Sequence, residues 1–354
     1  MDVLGLTSDE FAQRLQSRRA RREVMLKYAA VYRRDAQDMD DARADLPEIG
    51  KTIVDAETVK FTLQVGGGLE TESVIIPMPH TGGGFSRTLC VSSQVGCAMG
   101  CGFCETAQMG LLRNLSAAEI VAQWFAARHR IENTIDGGHG FQIKNIVFMG
   151  MGEPTENLDA VLHSIRILTD HYGASIASSN ITISTVGRVA GIQKIAEFAG
   201  QEGFHRLHLA LSLNAPNDEI RSQIMPINKS EPIADIVAAV RGYPEVAGPT
   251  CIEYVLIPGV NDSMEHCDQV CALLKDVRCS LNIIPYNPRR NSPWPAPSEE
   301  SVVAFIARAI ANKQFCKRRG TKGRCAMAAC GQLGSEAIRA RKFVQVHSGV
   351  GVQS

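Results

Sequence analysis

The chain has 354 residues, 45% of them hydrophobic, which is enough for one large α/β domain with small flanks and a sizeable buried core. Its 37 Lys and Arg balance 37 Asp and Glu, so a global polyanion-binding character is excluded and any basic surface must be local. Eleven cysteines are too sparse for a secreted disulfide scaffold and odd in number, which points to metal binding or thiol chemistry; without a membrane-length apolar run or signal-peptide pattern, a cytoplasmic location with no membrane partner is expected.

Thr7 to Glu10 reads as a capping box that opens one helix running to about Arg34. A charge reversal follows, with acids dominating from Asp35 to Glu48; such runs are usually solvated faces, with a contact with RNA as the other reading. Residues 52–65 and 72–77 alternate enough to predict a hairpin around Gly66, Gly67 and Gly68. Residues 1–82 are taken as an N-terminal α+β accessory domain, with Thr81 to Gly84 as its linker to the main body. Six apolar strands then follow at about 88–93, 145–149, 180–184, 207–212, 251–257 and 280–285. They alternate with helical patterns at 116–130, 157–171, 189–199, 217–224, 263–275 and 298–312. Such alternation predicts parallel strands with right-handed crossovers, and six units suit a partial (βα)6 barrel rather than a closed eightfold one. The core is expected over 83–313, with a basic extension over 314–354.

In barrel-like α/β folds the site lies at the carboxyl ends of the strands, and the polar motifs fall there. After the first strand comes Cys97-Ala-Met-Gly-Cys101-Gly-Phe-Cys104, three thiols on a loop that Gly96, Gly100 and Gly102 let turn tightly. A cubane iron–sulfur cluster is held by cysteine thiolates, and three from one loop would leave one iron open to a substrate or cofactor. A structural zinc site is the alternative, and it would need a fourth ligand such as Cys90. After the second strand, Gly150-Met-Gly-Glu-Pro154 combines a glycine turn with one carboxylate that could hold an ammonium. Ser184-Thr-Val-Gly187 and Ser212-Leu-Asn214 offer hydroxyls and an amide to a carboxylate or ribose, and Asn287 could read an adenine edge. Each could equally be a cap or a turn. Residues 313–342 carry nine Lys or Arg, Arg318, Arg319 and Lys322 among them, against the single acid Glu336. That balance suits a phosphate backbone, with a merely soluble basic tail as the alternative, and inside the segment sits Ala328-Ala-Cys330-Gly-Gln-Leu333. Nearby positive charge would favour the Cys330 thiolate.

The cysteine spacing matches the radical SAM signature. Together with Thr88 to Cys97, Gly150 to Pro154, Ser212 to Glu219 and the Cys330 motif, it resembles the RlmN/Cfr family of radical SAM RNA adenosine methyltransferases over roughly residues 70–340. The resemblance implies a [4Fe-4S] cluster on Cys97, Cys101 and Cys104. It implies S-adenosylmethionine held by Gly152, Glu153, Ser184, Ser212, Leu213, Asn214 and Asn287. It also implies catalytic cysteines at Cys90 and Cys330, and a general base at Glu72, with Glu70 two residues away. Cys330 would first be methylated. A second S-adenosylmethionine, cleaved reductively, would give a radical that activates the S-methyl group for addition to the adenine. Cys90 would then release the product, leaving a transient Cys90–Cys330 disulfide, while Glu72 removes the ring proton. The implied partners are ribosomal RNA or transfer RNA, a low-potential electron donor and a thiol reductant. Asn214 stands where the family commonly has histidine, and Arg324 to Met327 replaces an acidic segment; these departures bear on the target RNA and ring carbon. The Gly-Glu-Pro form of the second motif favours carbon 2 over carbon 8. A protein without catalysis, either a zinc-stabilised RNA-binding module or an iron–sulfur electron carrier, is the alternative class.

Overall fold

The computed structural model describes residues 1–15, 21–36, 41–79, 85–134, 136–320 and 331–334. Thr7 and Glu10 form the expected capping box, with the Thr7 amide donating to Glu10 Oε2 at 2.7 Å and the Glu10 amide donating to Thr7 Oγ1 at 3.3 Å. The helix it opens does not run on to Arg34. It is divided into α1 (Ser8–Leu15) and α2 (Arg21–Arg34), and the Phe11 and Tyr28 rings lie 5.8 Å apart. In one continuous helix those residues would be about 25 Å apart. The two helices therefore fold back on each other, because Phe11, Tyr28 and Tyr32 each need an apolar partner that a solitary helix lacks.

Three antiparallel strands follow: β1 (Ile49–Asp55), β2 (Thr58–Gln64) and β3 (Glu70–Pro79). The stretch expected as one strand over 52–65 is thus two, turning at Ala56 with φ +52°. The expected hairpin around Gly66 to Gly68 joins β2 to β3. These strands do not form a separate sheet, since β3 pairs antiparallel with β4 (Phe85–Cys90), the first strand of the barrel. The expected linker, Thr81 to Gly84, lies outside the described residues.

After Cys90 the chain leaves the sheet and forms a small ribbon of β5 (Gln94–Gly96) and β6 (Leu111–Asn114), which carries the cysteine loop between its strands. The main rhythm then runs α3 (Ala117–His129), β7 (Ile143–Phe148), α4 (Leu158–Thr169), β8 (Ile181–Thr185), α5 (Val189–Ala199), β9 (His208–Ser212), α6 (Asp218–Ile224), α7 (Ile233–Arg241), β10 (Thr250–Leu256), α8 (Met264–Leu274), β11 (Cys279–Pro285), α9 (Glu299–Ala311) and β12 (Cys316–Arg318). Strands β4, β7, β8, β9, β10 and β11 pair in parallel in that order, as six βα units require. β12 adds a seventh parallel strand beside β11. Its three residues are too short to show a period in the sequence. Helix α7 was also unanticipated, although Ile233, Ile236, Val237 and Val240 are buried at helical spacing.

The sheet curls so that Cys90, Ser184, Ser212 and Glu253 share its inner face, while Ile146, Ile183, Leu211, Ile252 and Ile283 are buried on the outer face, which the helices cover. The α1–α2 pair packs on this outer layer, with Tyr32 against Trp124 and Phe125 of α3 at 6.2 Å. The Ser8 amide donates to Asp170 at 2.6 Å beyond the end of α4. Phe11→Ala should cost about 3 kcal/mol, the price of emptying a buried aromatic site. Urea unfolding should show that loss, while the iron content of the folded protein stays at the wild-type level.

Candidate active site at the carboxyl ends of the parallel strands

The carboxyl end of every parallel strand contributes to one cavity. Cys90 ends β4; Gly152 and Glu153 follow β7; Ser184 lies on β8; Ser212 ends β9 and Asn214 follows it; Glu253 lies on β10; and Asn287 follows β11. Cys97, Cys101 and Cys104 line the same cavity. Of the residues expected to contact the cofactor, Leu213 alone does not reach it. Its side chain is wholly buried in the core, and it offers only backbone, with its amide donating to the Glu253 carbonyl at 3.1 Å.

The cysteine loop is clamped at its base, where the Cys97 amide donates to the Gly110 carbonyl at 2.9 Å. Gly96 has φ +76°, and a Cβ there would sit 1.8 Å from the Gly110 oxygen, so glycine is required at this turn. Gly102 serves differently: its amide donates to the Ile224 carbonyl at 2.9 Å, and the Trp294 ring covers it. Burial pushes the Cys97 thiol up to about 12 against a donor from the Met99 amide, and pushes Cys101 well above the usual thiol range. Burial also raises Cys104, opposed by the amides of Ala107 and Thr106. Buried thiols like these are held protonated until a metal displaces the proton.

Among the described residues, no three His, Cys, Asp or Glu side chains converge on a point that one ion could occupy. A single tetrahedral zinc would draw its sulfurs to within about 4 Å of one another, given Zn–S bonds near 2.3 Å. A cubane spreads its thiolates over separate irons, and an all-thiol set with Cys97 and Cys101 buried, Cys104 half-buried, and amide donors at Cys97 and Cys104 suits it.

Glu153 is buried, which raises its pKa. Its carboxylate accepts from the Thr155 amide at 3.1 Å, the Thr155 hydroxyl at 2.6 Å and the Val186 amide at 2.9 Å. It thereby ties the β7 turn to the β8 turn while facing the cavity. Gly152, at φ +102°, has no space for a side chain, since a Cβ would lie 2.6 Å from Gln94. Asn214 adopts φ +59°; its Oδ1 accepts from the Val255 amide at 2.9 Å and its carbonyl accepts from Asn261 at 2.7 Å. Asparagine tolerates this left-handed conformation better than most residues.

Several contributors went unread in the sequence. Arg221 is wholly buried, and its guanidinium donates to the carbonyls of Leu213 (3.0 Å), Ser212 (3.4 Å), Glu231 (3.3 Å) and Val186, and to Asn228 Oδ1 (3.0 Å). Burial lowers its pKa to about 10. Arg319, expected on the basic surface, instead turns into the cavity and pairs with Glu253 at 2.5 Å, while Ser184 donates to the other Glu253 oxygen at 3.3 Å. Arg318 pairs with Glu299 on the exposed face. Lys322, Arg324, Cys325, Glu336 and Cys330 lie outside the described residues.

The segment that follows Cys330 is seated at the site. Gly331 and Leu333 line the cavity. The Gly331 carbonyl accepts from the Glu105 amide at 2.7 Å, and the Leu333 carbonyl accepts from the Thr106 hydroxyl at 2.6 Å. The Gly334 amide donates to Glu72 Oε2 at 2.8 Å. Glu72 is buried on β3 and pairs through Oε1 with Lys60 of β2 at 3.4 Å. Glu70 lies at the start of the same strand and accepts from Gln64 at 3.4 Å.

Comparison with known proteins bears on this arrangement. The radical SAM superfamily model matches residues 91–270. A probable dual-specificity RNA methyltransferase RlmN 1 from Protochlamydia amoebophila is 42% identical over 83% of this chain and 78% of its own length. A dual-specificity RNA methyltransferase RlmN from Caulobacter vibrioides is 40% identical over 83% of this chain and 71% of its own. A radical SAM methyltransferase structure from Sphaerobacter thermophilus superposes with a TM-score of 0.84 at 34% identity, covering 95% of this chain and 99% of that one.

Replacing any one of Cys97, Cys101 or Cys104 by Ala removes a third of the thiolate set. Each variant, purified without oxygen, should lose its iron and brown colour while keeping the helical circular dichroism of the wild type. Full iron content in any of them would refute the assignment.

Proposed function

We propose that this chain, which belongs to the RlmN family of radical SAM RNA methyltransferases, methylates adenosine at a ring carbon, C2 in preference to C8, through an S-methylated Cys330. Ribosomal RNA is the proposed target and transfer RNA a second one, in keeping with the dual-specificity names of the relatives. Family membership implies S-adenosylmethionine, a [4Fe-4S] cluster and an RNA substrate. The observation that carries the reading is the seating of Gly331–Gly334 on the cluster loop and on Glu72. It brings the residue next to Cys330 into a cavity that Cys90 also lines.

In this reading the cluster and S-adenosylmethionine supply, when bound, the radical that takes a hydrogen atom from the methyl group on sulfur. The residues do the rest. Cys97, Cys101 and Cys104 hold the cluster. Gly152, Glu153, Ser184, Ser212, Leu213, Asn214 and Asn287 hold S-adenosylmethionine, with Leu213 contributing backbone alone. Cys330 presents the one-carbon unit to the adenine, forming the carbon–carbon bond while still joined to it through sulfur. Glu72 receives the proton leaving the ring carbon. The Cys90 thiolate attacks the Cys330 sulfur, the sulfur–carbon bond breaks toward the new methyl group, which takes up a proton, and the one electron left over from radical addition returns to the redox partner, leaving a disulfide for a thiol reductant to reopen. A low-potential donor supplies the electrons, and the cytoplasm is the proposed compartment. Residues 1–82 act as the accessory region, 83–313 as the radical SAM core, and 314–354 as the segment bearing the methyl-accepting cysteine.

The two cysteines should fail in opposite ways. Cys330→Ala should never link to RNA. Cys90→Ala should methylate Cys330, couple it to adenosine and stall with RNA attached. Cys325→Ala is the control and should turn over. Denaturing gels before and after ribonuclease, with mass spectrometry of the Cys330 peptide, read all three; an RNA-free Cys90→Ala protein, or an adduct at Cys325, would sink the mechanism.

A further inference from the structure

Lys60 is buried on β2, with its side chain 9% exposed, and the reaction as described gives it no part. Its position is specific. In the antiparallel registers Lys60 faces Val74, and Val74 faces Cys90, so the three form one row across β2, β3 and β4. Residues directly opposite in a sheet share a face, and so do residues two apart on one strand. Glu72 therefore stands on the same face as Lys60 and Cys90, one pleat along from Val74. The Lys60 ammonium lies 3.4 Å from Glu72 Oε1, while Glu72 Oε2 accepts the Gly334 amide at 2.8 Å. Glu72 itself is not among the residues lining the cavity, whereas Gly331 and Leu333 are.

We propose that Lys60 is a positioning residue, which orients Glu72 so that this carboxylate latches the segment after Cys330 over the cavity. A buried carboxylate deprived of its partner charge is strongly disfavoured. With Lys60 occupying Oε1, the second oxygen is left directed at the Gly334 amide, a charge-assisted bond stronger than a neutral one. Gly334 is only four residues beyond Cys330. The latch thus limits how far the methyl-accepting sulfur can stray from Cys90 and the cluster loop. It acts before any RNA is bound, which separates it from the role of Glu72 as proton acceptor. The inference rests on Cys330 being the methyl acceptor.

The test compares the anaerobically purified holoenzyme with Lys60→Met, Lys60→Arg and Gly334→Pro. Hydrogen exchange at the Gly334 amide is measured without RNA, and S-methylation of the Cys330 peptide by S-adenosylmethionine is followed by mass spectrometry. In Lys60→Met, exchange at Gly334 should quicken and Cys330 methylation should slow, each by about tenfold, the scale of one charged hydrogen bond. Lys60→Arg should restore protection. Unchanged exchange and methylation in Lys60→Met would overturn the latch. If Lys60→Met does not fold, Gly334→Pro removes the same bond from its other end, and wild-type methylation in that variant would overturn it equally. A wild-type enzyme whose Cys330 accepts no methyl group would instead overturn the proposed function, leaving exchange at Gly334 to judge the latch alone.

Discussion

The rim of the barrel depends on one buried guanidinium. Arg221 sits on the short helix α6 with no carboxylate bonded to it among the described residues, and its donors instead reach carbonyls at the ends of β8 and β9, the Glu231 carbonyl and Asn228 Oδ1. Strand ends in a parallel sheet leave carbonyls that no neighbouring strand satisfies, and a buried carbonyl without a partner is costly. A neutral side chain could not supply five donors in a fixed fork. The same charge lies close enough to Cys101 for each to influence the other, in the sense that favours a thiolate there. One residue therefore ties the turns after β8 and β9 to each other and lies within electrostatic reach of the cysteine loop.

What was legible in the sequence followed from periodicity and spacing. Six strands and their crossover helices were readable because each apolar run is short and bounded, and the capping box at Thr7 formed. The three cysteines were readable because eight residues cannot carry them far apart. What escaped were contacts that join distant parts of the chain. Lys60 reads as one polar residue in an alternating strand, and only the pairing of β2 with β3 places it on Glu72. Arg319 reads as one of a run of cations, and only the pairing of β12 with β11 turns it inward to Glu253 while its neighbour Arg318 faces outward. Alternation along a strand sends successive side chains to opposite faces, so a cluster of charges in sequence is divided between surface and cavity. The fold-back of α1 on α2 was hidden for a related reason, because a helical period persists whether or not the chain turns between helices.

Asn214 shows how a departure from a family pattern can be read physically. At φ +59° the residue occupies a conformation that few side chains tolerate, and its amide is spent on the Val255 backbone rather than directed freely into the cavity. Asn261 holds the opposite side of the same turn, donating to the carbonyls of Asn214 and Val255. The position thus fixes the geometry of two strand ends, and what it offers a ligand is mainly the shape of that turn.

Position along the strands also separates the cysteines by surroundings, which their number alone could not do. Cys90 is the last residue of β4, and the three-cysteine loop begins a few residues later, all at the carboxyl rim where such folds place their chemistry. Cys251, Cys279 and Cys316 lie at the opposite ends of β10, β11 and β12. Burial pushes Cys251 up to about 12 and Cys279 and Cys316 up to about 11, so these thiols stay protonated and unreactive near neutral pH. Cys97, Cys101 and Cys104 are raised by burial in the same way, yet all three line the cavity. Burial alone is thus neutral as to function. A buried thiol becomes a ligand where the strand ends open around it, and it remains packing where they close.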